Sequence, residues 1–253
     1  YRYDMAGNPV QVTRTGAGGG RTEIVRYEYN KLGKPTKEIV ENGATDLVST
    51  VEYDARGLPV AVTDPRGNAD GATAADYTTT LRYDVLGRLI ERIEPPVRVD
   101  KAGTATTAQP VTRYGYNAVG EQTHVTDPEG RTTTIEFDKA GRPVKVTAPS
   151  YTPPGGSAIT PVITRTYDEA GQLVSVTDPR GNTTGFEYDK LGRRVRITDP
   201  APADGGTPGR RVMEYDLAGE LLATVDQTGA RIEATYDDLG RKITETVIER
   251  IPG

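Results

Sequence analysis

An aromatic residue followed by an acid or amide, two variable residues and a glycine recurs ten times along this chain, and that repetition leaves little freedom in what it can fold into. The aromatics stand at Tyr3, Tyr29, Tyr53, Tyr83, Tyr116, Phe137, Tyr167, Tyr188, Tyr215 and Tyr236. The glycines that close each copy are Gly7, Gly33, Gly57, Gly87, Gly120, Gly141, Gly171, Gly192, Gly219 and Gly240. Asp54, Asp84, Asp138, Asp168, Asp189, Asp216 and Asp237 are among the acids, while Asn30 and Asn117 take that place in two copies. Self-similarity of this kind marks an array in which each unit packs on its neighbours.

Each copy carries a period of two on both sides of the glycine. Two residues before the aromatic lie Val51, Leu81, Ile135, Phe186 and Met213, and the residue between is polar or small. After the glycine the alternation resumes with Val60 and Val62, Val144 and Val146, or Val174 and Val176. Two half-buried strands are therefore expected per copy. The Asp-x-x-Gly between them suits a type I turn, with the acid capping it and glycine taking positive φ. The second strand ends at a related turn with proline added, as at Asp64-Pro65-Arg66-Gly67 and Asp178-Pro179-Arg180-Gly181. Tight reversals at both ends predict an all-β antiparallel meander of about ten hairpins.

The shortest spacing between aromatics is 21 residues, from Tyr116 to Phe137, Tyr167 to Tyr188 and Tyr215 to Tyr236. Longer spacings gain their excess after the second strand, so every insertion falls on one edge of the sheet. These are Gly16 to Gly20, Asn42 to Thr45, Asn68 to Thr78, Pro95 to Pro110, Pro149 to Pro161 and Pro200 to Gly209. Their Gly, Pro, Ala and Thr content reads as loop. The 253 residues are expected to form one continuous array, and the chain reads as an excerpt from a longer one.

Only 35% of the residues are hydrophobic, with no tryptophan and fourteen tyrosines, which suits a sheet with one apolar face better than a closed core. Cysteine is absent, excluding disulfides and thiolate metal sites. The net charge of −5 and scattered basic residues do not make a nucleic-acid stripe. No apolar run reaches membrane-spanning length, and no signal peptide is visible.

Tyr83-Asp84-Val85-Leu86-Gly87-Arg88-Leu89 and Tyr188-Asp189-Lys190-Leu191-Gly192-Arg193, with Thr-Asp-Pro-x-Gly following the second strand of several copies, resemble the YD repeat of RHS proteins. The pattern covers essentially the whole chain. The resemblance implies a curved or spiralling sheet that is a segment of a β-shell. In this family, which includes RHS polymorphic toxins, toxin-complex cocoon proteins and teneurins, such shells can enclose a C-terminal polypeptide, in bacterial members a toxin. Lys34, Leu58, Glu121 and Glu220 depart from the arginine after the glycine, and Phe137 from the tyrosine. The bacterial family closes its shell with an Asp-Pro-x-Gly-Leu motif for self-cleavage. Here Gly67, Gly130 and Gly181 are followed by Asn68, Arg131 and Asn182.

Catalytic, cofactor and metal residues are expected to be absent. The acids, including Asp237-Asp238, read as turn caps. His124, the single histidine, lacks partners for a metal site or triad. Gly16, Gly18, Gly19 and Gly20 fail the phosphate-loop spacings, and Asn182-Thr183-Thr184 is an isolated glycosylation match. The tyrosine stripe reads as a packed layer stacking from hairpin to hairpin, with a sugar-binding face as the other reading. The chain is thus expected to be a non-enzymatic scaffold of a secreted or cell-surface protein, partnered by an enclosed passenger of the same parent chain and by neighbouring repeats. Edge-to-edge self-association is a liability of its terminal strands. The alternative is a module binding glycans or a cell surface through the tyrosine face or the edge loops.

Overall fold

A computed structural model of the chain describes residues 1–16, 22–101, 103–203 and 205–248. The described residues are all-β, with a single turn of 3-10 helix over Ala74–Tyr77. It divides into two compact units, Tyr1–Thr132 and Thr133–Gly253.

In the first unit the hairpins are β1–β2 (Arg2–Tyr3, Pro9–Thr15), β3–β4 (Thr22–Tyr29, Pro35–Val40), β5–β6 (Leu47–Tyr53, Pro59–Thr63) and β7–β8 (Thr78–Tyr83, Leu89–Ile93). An additional pair, β9 (Val97–Lys101) and β10 (Thr104–Ala108), precedes the hairpin β11–β12 (Val111–Tyr116, Gln122–Thr126). Successive hairpins pair antiparallel, and β8 pairs directly with β11, so β9 and β10 stand outside the main sheet.

The second unit repeats the pattern in β13–β14 (Thr132–Phe137, Pro143–Thr147), β15–β16 (Val162–Tyr167, Leu173–Thr177), β17–β18 (Thr183–Tyr188, Arg194–Thr198), β19–β20 (Arg210–Tyr215, Leu221–Val225) and β21–β22 (Arg231–Tyr236, Lys242–Ile248). β13 begins on the last residue of the first unit. From β13 to β22 each strand pairs with the next.

The segment Pro95 to Pro110, read above as loop, contains a hairpin of its own. Val97-Arg98-Val99 and Thr104-Ala105-Thr106-Thr107 supply β-branched residues at alternating places, and Val99 pairs with Thr106. The Asp100 carboxylate accepts the Gly103 N–H at 2.7 Å, closing the turn. Two short strands of this composition satisfy their backbone groups with each other and leave the main register undisturbed. Of the other insertions, Pro149 to Pro161 holds one antiparallel bridge, Tyr151 to Ile159. Gly18, Gly19 and Gly20 of the glycine-rich insertion, and residues 249–253 after β22, lie outside the described residues.

Each of the ten hairpins turns in the same way. The backbone N–H of the acid or amide donates to the carbonyl four residues on, and the glycine N–H donates back to the acid's carbonyl, as at Asp138 with Arg142 (3.0 Å) and Gly141 with Asp138 (3.1 Å). This is a type I turn followed by a left-handed residue, which places one extra residue on the second strand and matches the strand twist. At Gly120, φ is +97°, a region where a Cβ crowds the carbonyl oxygen.

Packing is thin. Among the described residues the buried hydrophobics are Val12, Val25 and Ala223, and the first two face each other across β2 and β3. Most strand residues are half-buried, and apolar residues such as Val62, Ile90 and Ile232 remain exposed. On the polar face, register places Glu28 opposite Lys37, Arg82 opposite Glu91, Glu136 opposite Lys145 and Glu187 opposite Arg196. All four are ion pairs, at 2.7 to 3.3 Å. Exposed pairs of this kind contribute about 0–1 kcal/mol each.

The turn glycines are constrained by backbone conformation more than by space. A Cβ at Gly120 meets no atom within 4 Å, whereas one at Gly192 comes within 2.9 Å of the movable terminal amide of Gln172. Gly120→Ala and Gly192→Ala are therefore expected to lose similar stability, about 1–2 kcal/mol. Urea unfolding checks this: both midpoints should fall with the slope unchanged.

Candidate functional site

Every aromatic of the repeat is the last residue of the first strand of its hairpin, at the mouth of the turn. Seven of the tyrosines donate their hydroxyl to a backbone carbonyl in the preceding hairpin. Tyr29 reaches Pro9, Tyr53 Pro35, Tyr116 Leu89, Tyr167 Pro143, Tyr188 Leu173, Tyr215 Arg194 and Tyr236 Leu221, at 2.8 to 3.1 Å. The acceptor is the residue that opens the preceding second strand, where the turn's extra residue frees a carbonyl from the ladder. Burial first, and then the nearby turn acid, raise the pKa of Tyr29 (Asp4) and Tyr83 (Asp54), which favours the protonated phenol. Phe137 lacks a hydroxyl and cannot make this bond.

Where arginine follows the glycine, the turn carboxylate is saturated. In Asp138, Oδ1 accepts the N–H of Ala140 at 2.8 Å and of Arg142 at 3.0 Å, and Oδ2 accepts the Arg142 guanidinium at 2.6 and 2.7 Å. Asp84 with Arg88, Asp189 with Arg193 and Asp237 with Arg241 repeat the arrangement. The Arg142 hydrogen bonds, from side chain and then backbone, hold the Asp138 carboxyl below its usual range. These acids have no lone pair aimed at a substrate.

The arginine after the glycine joins adjacent turns, a role that the repeat positions Tyr, Asp and Gly alone do not reveal. While its Nε engages its own aspartate, Nη1 donates to the backbone carbonyl of the acid or amide in the next turn. Arg88 reaches Asn117 at 3.1 Å, Arg142 reaches Asp168 at 3.4 Å and Arg193 reaches Asp216 at 2.6 Å. Arg56, which stands just before its turn glycine, reaches Asp84 at 2.8 Å. The same guanidinium planes lie over the next tyrosine ring: Arg88 over Tyr116, Arg142 over Tyr167 and Arg193 over Tyr215, at 4.6 to 4.9 Å. The tyrosines thus alternate with guanidinium groups. They do not stack ring on ring as read above: among the described residues, Tyr1 with Tyr3 is the one ring pair. Arginine occupies the space between successive rings with a planar cation suited to their faces.

The remaining candidates are ordinary in their surroundings. His124 faces Gly115 across β11 and β12, its ring covering the space a Cβ would need. Asn182 donates its side-chain amide to Asp178 at 2.9 Å within a turn. Asp237, of the Asp237-Asp238 pair, is bound to Arg241. Among the described residues no group of three or more His, Cys, Asp or Glu side chains is placed to hold a metal ion. Among the same residues no helix is long and apolar enough to cross a membrane.

A strand pair with a saturated turn, tied in both directions to its neighbours, defines the chain as a β-hairpin repeat array. The family model described as RHS Repeat matches residues 116–153 and 167–205, so those residues carry RHS repeats, the family that the sequence pattern resembles. No curated protein matches the sequence. In structure the chain is similar to the crystal structure of TcdB2-TccC3-TEV, with a TM-score of 0.64 at 17% identity over 93% of this chain and 13% of that one. The crystal structure of TcdB2-TccC3 gives 0.53 at 16% identity, over 96% of this chain and 17% of that one. The chain therefore spans under a fifth of the length of these structures, and the likeness is one of fold.

Arg142→Ala removes three contacts at once, the hydrogen bonds to Asp138 and to Asp168 and the cover over Tyr167, and is expected to cost about 1–3 kcal/mol. A double-mutant cycle with Tyr167→Leu, which removes the ring face, should show coupling between the two residues. Because Asp138 has a depressed folded pKa, its contribution is present above the unfolded aspartate pKa and is lost as pH falls through the folded value. Acid titration of stability should decline over that acidic window, and Asp138→Asn should flatten part of the decline.

Proposed function

We propose that this chain is a structural scaffold, a segment of the wall of a hollow β-sheet shell that encloses a C-terminal passenger or toxin polypeptide of a larger exported protein. The observation that carries this reading is the two-way tie between hairpins. A wall that must hold together without a filled core needs bonds running from each unit to the next, and the tyrosine hydroxyls and arginines supply them. The similarity in fold to TcdB2-TccC3 structures over almost the whole chain supports the same reading. So does the commitment of Asp54, Asp84, Asp138, Asp189 and Asp237 to backbone and guanidinium donors, which argues for a non-enzymatic part.

Glycan binding through the tyrosine face is less favoured, because seven of the hydroxyls that would recognise a sugar are bonded to backbone carbonyls.

Limited proteolysis of the parent chain with its downstream segment tagged tests the proposal. The tagged segment is expected to resist protease until the repeats are unfolded. Cleavage of that segment while the repeats remain intact would show an open surface and overturn containment.

A further inference from the structure

The insertion Pro200 to Gly209 and the polar face of β18 and β19 enclose a cleft of about 680 Å³ within the second unit, a volume in the range of small-molecule sites. Cross-strand register sets its floor: Glu187 lies opposite Arg196, and Thr198 opposite Arg210. The insertion supplies Thr207 and two apolar walls, Pro202 and Pro208. Gln227 arrives from the turn after β20, its side-chain oxygen standing where a Cβ on Gly209 would stand, so the glycine lets that amide lie against the loop.

Charge is unbalanced here. Arg231, in the same unit, is held by two carboxylates, Glu214 at 2.7 Å and Glu233 at 2.5 Å. In the cleft two arginines share one acid. Glu187 takes both of its bonds from Nη1 of Arg196, at 2.9 and 2.7 Å, and Arg210 has no ion pair among the described residues. The neighbouring Asp199 is paired with Arg211 at 3.7 Å. Among the described residues, Arg196 Nε is the one buried side-chain N or O atom without a hydrogen-bond partner. A donor of a charged group left in that state is unfavourable, and it shows that the fold uses only part of this guanidinium.

We propose that this cleft binds a small phosphate monoester, its phosphoryl group held by Arg196 and Arg210 and its organic part lying against Pro202 and Pro208. The donors converge from two strands, the insertion and a turn: two guanidinium groups, the hydroxyls of Thr198 and Thr207, and the Gln227 amide. Among the described residues neither hydroxyl, nor that amide, nor the Arg210 guanidinium has a side-chain hydrogen bond to give up. A tetrahedral group with three terminal oxygens can accept from so many directions, whereas a carboxylate offers two oxygens in one plane. The positive charge that remains once Glu187 is paired suits a phosphate dianion. This inference rests on the cleft and not on the shell reading.

The test is side-chain NMR of the 253-residue chain, following Arg196 Nε–H, whose burial slows its exchange with water. Phenyl phosphate, inorganic phosphate and benzoate are titrated at constant ionic strength. Phenyl phosphate should give a saturable shift at Arg196. It should bind roughly fivefold or more tightly than inorganic phosphate, which lacks the apolar part, and than benzoate, which lacks the third oxygen. Arg210→Gln should weaken phenyl phosphate by roughly fivefold or more, and it is expected to fold because Arg210 has no ion pair to lose. The proposal is overturned if sodium chloride reproduces the shift, if inorganic phosphate or benzoate binds as tightly as phenyl phosphate, or if Arg210→Gln leaves the affinity unchanged. Should that variant fail to fold, the unaltered protein decides. Shifts confined to the cleft sustain the site, and equal shifts at arginines of distant turns, such as Arg88 and Arg142, remove it.

Discussion

The side-chain oxygen of the acid or amide that opens each turn is the point on which the rest of the array depends. A type I turn leaves backbone N–H groups pointing inward with no partner on the opposite strand, and a carboxylate on a short side chain is the acceptor that reaches them. In Asp138 one oxygen serves the backbone, so the other is free to hold Arg142. The guanidinium is thereby fixed in direction, and its remaining N–H group is aimed at the next turn. A local requirement of one turn is in this way converted into a bond between turns.

Magnitudes explain why such bonds matter here. Exposed ion pairs on the polar face contribute about 0–1 kcal/mol apiece, and few side chains are buried deeply enough to give the full hydrophobic term. Charge-assisted bonds held by a pre-ordered arginine contribute more, about 1.5–3 kcal/mol. Tyrosine adds a second tie in the reverse sense while its ring covers the half-buried face. Cohesion is thus distributed along the array, as expected where each unit meets only its neighbours.

The hairpin meander is legible in the sequence because period-two alternation, Asp-x-x-Gly and tight spacing all point to the same local structure. Turn positions such as Tyr167, Asp168 and Gly171 can be picked out by recurrence alone. Their chemistry cannot. Recurrence marks Arg142 and Arg193 as part of the motif, but only three-dimensional register shows that each lies over the tyrosine of the following hairpin. The β9–β10 hairpin escapes a reading of the sequence for a different reason. Its Gly, Pro, Ala and Thr content resembles loop composition, and two short strands carry too few alternating residues to stand out against it.

The ties made at the turns run in two fixed directions. Arginine reaches forward to the carbonyl of the following turn, and tyrosine reaches back to a carbonyl already exposed by the preceding one. A hairpin that has just formed therefore presents both a waiting donor and a waiting acceptor to the next hairpin in the chain. Within each unit the molecule can be assembled in the order in which a ribosome emits it, every new repeat docking on a finished template and none waiting for sequence still to be made.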